Sequence, residues 1–381
     1  MRNLLRHGLA LIAIVSMTTS CEDNPSSATL PPTSKATDFA FVITTNFQTG
    51  SASVIWFDGA YTTVKNVNSV HSDAVARFHG GLIYVVNRFG ADNIQILDPA
   101  NGFATVRQFS VENGADPHDI AVVSGTKAYV TRYNKTDLWI VDPSSGMHTG
   151  SIDLSTFADA DGVPEMDRLA VSGDYLFVSI QRLDRNNHFT PAGASLVAVV
   201  SVAADTLVDT DPAMSGIQPI MLTASNPFSD FETDPTTNDL LLACAGAFGL
   251  QDGGVDVVSV KNLASEGLLL TESAAGGDIT DVEILSASLG YVVTTDANFS
   301  NVLLSFNPQM GIVSDTLYAP GAFVLQDVEP GPTGILLLAD RTPTNPGIRI
   351  YDTTTGTETT SIPIDVGLPP FDITIGAVEK P

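Results

Sequence analysis

Two short apolar, β-branched runs joined by a polar bend recur along the chain. "LIYVVNRFGADNIQILDPANG" (82–102) and "AYVTRYNKTDLWIVDPSSG" (128–146) show the pattern at its plainest. Counterparts run over 39–59, 175–202, 240–260, 290–311 and 335–356. Short apolar runs bounded by turn-forming residues are the sequence image of half-buried or buried strands. Several units close with Asp-Pro or Asn-Pro followed by Gly, which is hairpin-turn chemistry. Each unit therefore predicts an antiparallel strand pair.

A second marker keeps time with the first. An aspartate precedes each new unit in a similar setting: Asp73, Asp119, Asp167, Asp230, Asp281, Asp327 and Asp372, at intervals of 46, 48, 63, 51, 46 and 45 residues. Periods of about 40 to 50 residues with about four strands each describe propeller blades. The expected fold is all-β: a seven-bladed β-propeller over residues 38–381. The first unit has no marker ahead of it, and Asp372 is followed only by "ITIGAVEKP". The C-terminal strand should thus complete the N-terminal blade and close the ring, leaving no open sheet edge.

"YVTR" with "LWIVDPSSG", and "YVVN" with "IQILDPANG", resemble the YVTN repeats of bacterial and archaeal surface propellers. The resemblance covers roughly residues 38 to 381 and implies the fold. It implies little about function, because such propellers carry binding proteins and several enzyme types. Units five and seven depart from it, with "LLLACAG" and "LLLADRT" in place of the aromatic-led motif.

The first 20 residues read as an export signal, with Arg2 and Arg6 ahead of an apolar stretch too short to span a bilayer. Thr18-Thr19-Ser20-Cys21 resembles a bacterial lipobox, with Thr18 where leucine is usual. On that resemblance Cys21 is the lipidated residue, and the acyl chains are the only contact with a membrane. Residues 21–37, rich in Ser, Thr and Pro, read as a flexible tether. The expected location is the cell envelope: outer membrane or cell surface, or a periplasmic face. The second cysteine, Cys244, sits in an apolar run and reads as a small buried hydrophobe.

Seventeen basic residues stand against 43 acidic ones, for a net charge of −26, or −28 once Arg2 and Arg6 leave with the signal. Such a surface repels nucleic acid and anionic headgroups and favours cations or basic partners.

In propellers of this kind the loop leading into the inner strand and the bend between the second and third strands open on one face. That loop face should gather the seven aspartates and the bends. Phe47, Phe89, Tyr133, Phe189, Phe248 and Phe299 each lie in or beside a bend of a different unit. They offer either a flat apolar binding surface or packing beneath their own loops. Arg88, Arg132, Lys135, Arg182, Arg185 and Arg341 also fall in bends, to hold a ligand's anionic groups or to pair with nearby acids. The aspartate ring has the same two readings, cation site or capping of turn N–H groups. Glu232, Glu283 and Glu329 follow Asp230, Asp281 and Asp327 by two residues, making that arc the best candidate for a metal. The densest constellation leads into unit four. Asp159, Asp161, Glu165 and Asp167 precede the strand, and Gln181, Arg182, Asp184 and Arg185 follow in the bend. "DADG" there lacks the closing glutamate of an EF-hand, so calcium is possible and no cofactor is required.

Two functions from different classes follow. One is a lipoprotein binding a small molecule or an envelope protein on its loop face, as the vitamin B12-binding propeller lipoproteins of Bacteroidota do. The other is a lactonase- or lyase-like hydrolase whose channel-mouth metal is held by His118, Asp119 and Asp167. No nucleophile elbow, HExxH or phosphate loop is present. Binding is the expectation carried forward.

Overall fold

The computed structural model describes residues 38–378, so the signal peptide, Cys21 and the tether lie outside the described residues. Seven sheets of about four antiparallel strands form the ring, as the two markers predict. The inner strands of blades two to seven are Ala74–His79, Ile120–Ser124, Met166–Ser172, Glu232–Thr233, Asp278–Ser286 and Leu325–Gly331. Blade one takes its inner strand from the far end of the chain. Pro370–Ala377 pairs antiparallel with Asp38–Thr45, which pairs in turn with Gly50–Trp56.

The core lies between blades rather than within one. Seven buried hydrophobic clusters fill the seven inter-blade spaces, for example Phe39, Phe41 and Val54 of blade one against Ile83, Val85 and Leu97 of blade two. Ala40, Val42 and Ile55 pack in the opposite direction against Leu337, Ile348 and Ile350 of blade seven. A middle strand is thus buried on both faces, which is why its sequence is an unbroken apolar run rather than an alternation. Outer strands, such as Ala104–Ser110, are exposed along most of their length.

The Asp-Pro turns lie between third and outer strands, opposite the bends. The Asp98 carboxylate accepts a hydrogen bond from Ala100 N, and Gly102 closes the turn at φ 63°, where a side chain is disfavoured. The 63-residue interval has a local cause. Blade four carries an extra hairpin, Leu183–Asp184 with Thr190–Pro191, and a long excursion before Ile220–Met221 rejoins its third strand.

Candidate functional site at the channel mouth

Leading loop and bend of the same blade are tied by one recurring backbone hydrogen bond. Arg88 N donates to Asp73 O, Thr131 N to Asp119 O and Gln181 N to Glu165 O, at 3.0–3.1 Å. Both loops therefore open on one face. There they surround a cavity of about 1350 Å³ at the mouth of the central channel.

Most of the ring aspartates work between blades. The carboxylate of Asp372 accepts from Ala76 N of blade two, Asp119 from Leu169 N of blade four, Asp281 from Val328 N of blade seven, and Asp327 from Ile373 N of blade one. Each staples its own blade to the inner strand of the next. The capping reading is right in kind, but the capped N–H groups lie 46 to 50 residues distant, apart from the Asp372–Ala76 bond that closes the ring. Asp119 and Asp281 also accept from the N–H of the following residue.

Asp73, Asp167 and Asp230 pair with side chains instead. Arg88 of the same blade clasps Asp73. Arg77, from the inner strand of blade two, reaches Asp119 and Asp230 at 2.8 Å and Asp372 at 3.8 Å. Arg168 of blade four meets Asp230 from the other side, at 3.1 Å. These two guanidiniums bridge the channel through Asp230. Burial pushes the Asp230 carboxyl up, but Arg77 and Arg168 outweigh it and hold it below the ordinary carboxylate range.

The remaining carboxyls of the acidic arc are not served in this way. Among the described residues, no Lys, Arg or His lies within salt-bridge distance of Glu232, Asp281, Glu283, Asp327 or Glu329. Glu232, Glu283 and Glu329 crowd one another instead, and sharing protons relieves their mutual repulsion. Burial, with repulsion from the neighbouring carboxylates, pushes Asp281 up to about 7 and Glu329 up to about 8. Glu232, Glu283 and Asp327 rise well above the usual carboxylate range for the same reasons.

On the wall between blades three and four, His118 Nδ1 lies 2.7 Å from Asp167 Oδ1. Its ring stacks on Tyr133 at 4.1 Å, the Tyr133 hydroxyl donates to Gln181 Oε1, and Gln181 Nε2 donates to Asp167 Oδ2. The cycle fixes the imidazole with Nδ1–H on the carboxylate and leaves Nε2 facing Asp116 Oδ2 at 3.9 Å. Burial pushes Asp167 up, but Arg168 and His118 together hold it below its ordinary value. A metal set of His118, Asp119 and Asp167 does not fit this geometry. The oxygens of Asp119 already accept from Arg77, Ile120 N and Leu169 N, and those of Asp167 from His118 and Gln181.

The leading loop of blade four does bring Asp159, Asp161 and Glu165 together, with one oxygen of each within 4.8 Å of the others. Arg185 lies against two of them, 2.8 Å from Glu165 and 3.6 Å from Asp161, where a cation would sit. Burial raises Glu165 to about 7.

The bends divide by use. Tyr133 is buried under its loop, whereas Phe47, Phe89, Phe189, Phe248 and Phe299 are 41–68% exposed. Phe189, Phe248 and Phe299 line the cavity with Arg88, Tyr133, Asp167, Gln181 and Arg185, while Phe47 and Phe89 stand outside it. Arg132 does not line it. It is buried, ion-paired to Glu112 and Asp137, with its guanidinium 4.3 Å from the Trp139 ring. Arg182 donates to Ala194 O within its own bend. Arg341 donates to Pro369 O, Pro370 O and Thr45 O, helping to close the ring beneath Phe47. Arg77, Arg168, Phe228 and Asn226 are cavity residues that the sequence reading did not single out. The two arginines stood in view, inside the marker stretches "HSDAVAR" and "EMDRLAV".

Solved structures of low sequence similarity share the fold. A putative 6-phosphogluconolactonase from Bacteroides fragilis is 16% identical over 91% of this chain and 99% of its own, with a TM-score of 0.60. The periplasmic gluconolactonase of Pseudomonas aeruginosa is 16% identical over 90% of this chain and 100% of its own, also at 0.60. Apo AztD from Citrobacter koseri is 12% identical over 90% and 98%, at 0.53. No family model matches the chain, the YVTN repeat included, and no curated protein sequence matches it.

Proposed function

We propose that the chain is an exported, lipid-anchored propeller that binds a small molecule in its loop-face cavity. The observation that carries this is the cavity itself, about 1350 Å³, with exposed phenylalanines above converging charged groups. Ligand sites are concave, with apolar walls and a few placed polar groups. A flat protein interface has no need of such depth. The anchor rests on the signal and Cys21, and the periplasmic location in the name of the Pseudomonas propeller agrees with export. The test is a thermal-shift screen of a metabolite library on wild type and Phe248→Ala. A hit that stabilises only the wild type supports the reading; hits that stabilise both equally would move the site elsewhere.

A second reading is favoured by the His118–Asp167 contact and by the two propellers named as lactonases. His118 Nε2 would take a proton from water as the water oxygen attacks a lactone carbonyl. The ring C–O bond then breaks, and its oxygen receives the proton from the imidazolium. Nine carboxyls and four arginines line the cavity, which disfavours a phosphorylated lactone. Gluconolactone hydrolysis that disappears in His118→Gln would support this reading, and equal rates in both proteins would end it.

A further inference from the structure

We infer that the cavity ligand is an organic cation, an amine or quaternary ammonium group on an apolar or aromatic body. This rests on the binding reading above and narrows it.

The balance of charge is the first reason. The four cavity arginines are already committed, Arg88 to Asp73, Arg185 to Glu165, and Arg77 and Arg168 to Asp230. Among the described residues, the carboxyls of Glu232, Glu283 and Glu329 have no cationic partner, and they line the cavity together. An arriving cation would displace the shared protons and supply the missing positive charge.

Asn226 gives an independent reason. It lines the same cavity, is 4% exposed, and donates through Nδ2 to Gly246 O, while its Oδ1 has no hydrogen-bond partner among the described residues. An unsatisfied buried acceptor is costly and calls for a donor. An ammonium or guanidinium group is donor-only, which suits a wall of acceptors.

The rim supplies the third. Phe228 and Phe248 pair edge-to-face at 5.7 Å, yet each stays more than 40% exposed. Phe189 and Phe299 hold φ of 57° and 60°, a left-handed conformation that a glycine or asparagine adopts at lower cost. Rings kept there against backbone preference, facing a cavity, are suited to cation–π contact and to covering an apolar body. The volume exceeds what a bare ammonium ion needs, so the cation is borne on a larger frame.

Phenethylamine, 2-phenylethanol and phenylacetate share one body and differ in charge, so titrating each into the purified full-length protein at pH 7.5 by calorimetry isolates the cation. The amine should bind about tenfold tighter than the alcohol, equivalent to about 1.4 kcal/mol, with the acid weakest. Glu283→Gln should bring the amine and alcohol within about twofold, and Phe248→Ala should weaken both, the amine more than the alcohol. Should Glu283→Gln not fold, the ratio in wild type and in Phe248→Ala decides. Alcohol or acid binding as tightly as the amine keeps the ligand cavity and overturns the cation. Amine binding that requires calcium and vanishes with EDTA overturns it in favour of a metal arc. No saturable binding of any of the three up to about 10 mM overturns it too, and the library screen then decides the binding reading alone.

Discussion

Replacing Arg77 by methionine removes the guanidinium that joins blades one, three and five across the channel. The side chain keeps its volume, so the change isolates the charge. Breaking a buried ion pair from one side costs about 3–5 kcal/mol, because the partner carboxylates stay behind. Arg77 is 21% exposed, which favours the lower end. The loss also has a ceiling. An orphaned carboxylate can take up a proton instead, at a cost of about 5 kcal/mol at pH 7.5 but only about 1.5 kcal/mol at pH 5. Unfolding entropy of about 2.1 cal/mol/K per residue over the ring gives roughly 0.7 kcal/mol/K. The variant should therefore melt about 4–7 °C below wild type at pH 7.5 and only about 2 °C below it at pH 5. Circular-dichroism melts at the two pH values measure both shifts. A deficit under about 1 °C at pH 7.5, or an equal deficit at both, would refute the claim that Arg77 works by neutralising buried aspartates.

The acidic arc gives the wild type an unusual pH profile. Carboxyls raised to about 7 or 8, such as Asp281, Asp372 and Glu329, bind protons more tightly folded than unfolded. Their contribution is fully present below the ordinary carboxylate pKa and is lost as pH rises through 7 to 8, so the melting temperature should fall from pH 5 to pH 8.5. Asp167 and Asp230, held low, reverse the trend below pH 4. Glu329→Gln should flatten the alkaline limb, and an unchanged limb counts against the arc. Truncation after Leu368 removes the strand that completes blade one and strips cover from Phe39 and Ile43, so soluble, cooperatively melting protein should not be recovered. A truncated form melting within a few degrees of wild type would contradict closure. Cys21→Ala should move the exported protein from the membrane fraction to the soluble one, and persistence in the membrane would rule out the lipid anchor.

The architecture was legible because burial on both faces writes itself as apolar runs, and seven runs with seven aspartates leave little choice of ring size. The unpaired N-terminal unit and the lone C-terminal strand pointed to each other for the same reason. The site was harder to see, because its partnerships span blades. Arg77 looks like an ordinary polar position on a strand, and nothing local says that its partners are Asp119, Asp230 and Asp372. Arg132 shows the same limit in the opposite sense: of its two readings, the structure supports pairing with acids. A bend arginine suggests exposure, yet Glu112 comes from the leading loop 20 residues earlier, and Trp139 from the next strand, to bury it. The aspartate ring was recognised as a repeat, but a staple to the next blade looks the same in sequence as a cap on its own turn. The acidic arc, legible from its two-residue spacing, lines the cavity together with the bend residues Arg88, Tyr133, Gln181, Arg185, Phe189, Phe248 and Phe299.

The most direct test of the central claim is native mass spectrometry of the protein purified gently without chelator, before and after EDTA, for wild type and Phe248→Ala. The account predicts a stoichiometric organic mass excess on wild type that survives EDTA and is lost or reduced in the variant. A bare wild-type mass, or an excess that EDTA removes entirely, would contradict a resident organic ligand in the loop-face cavity.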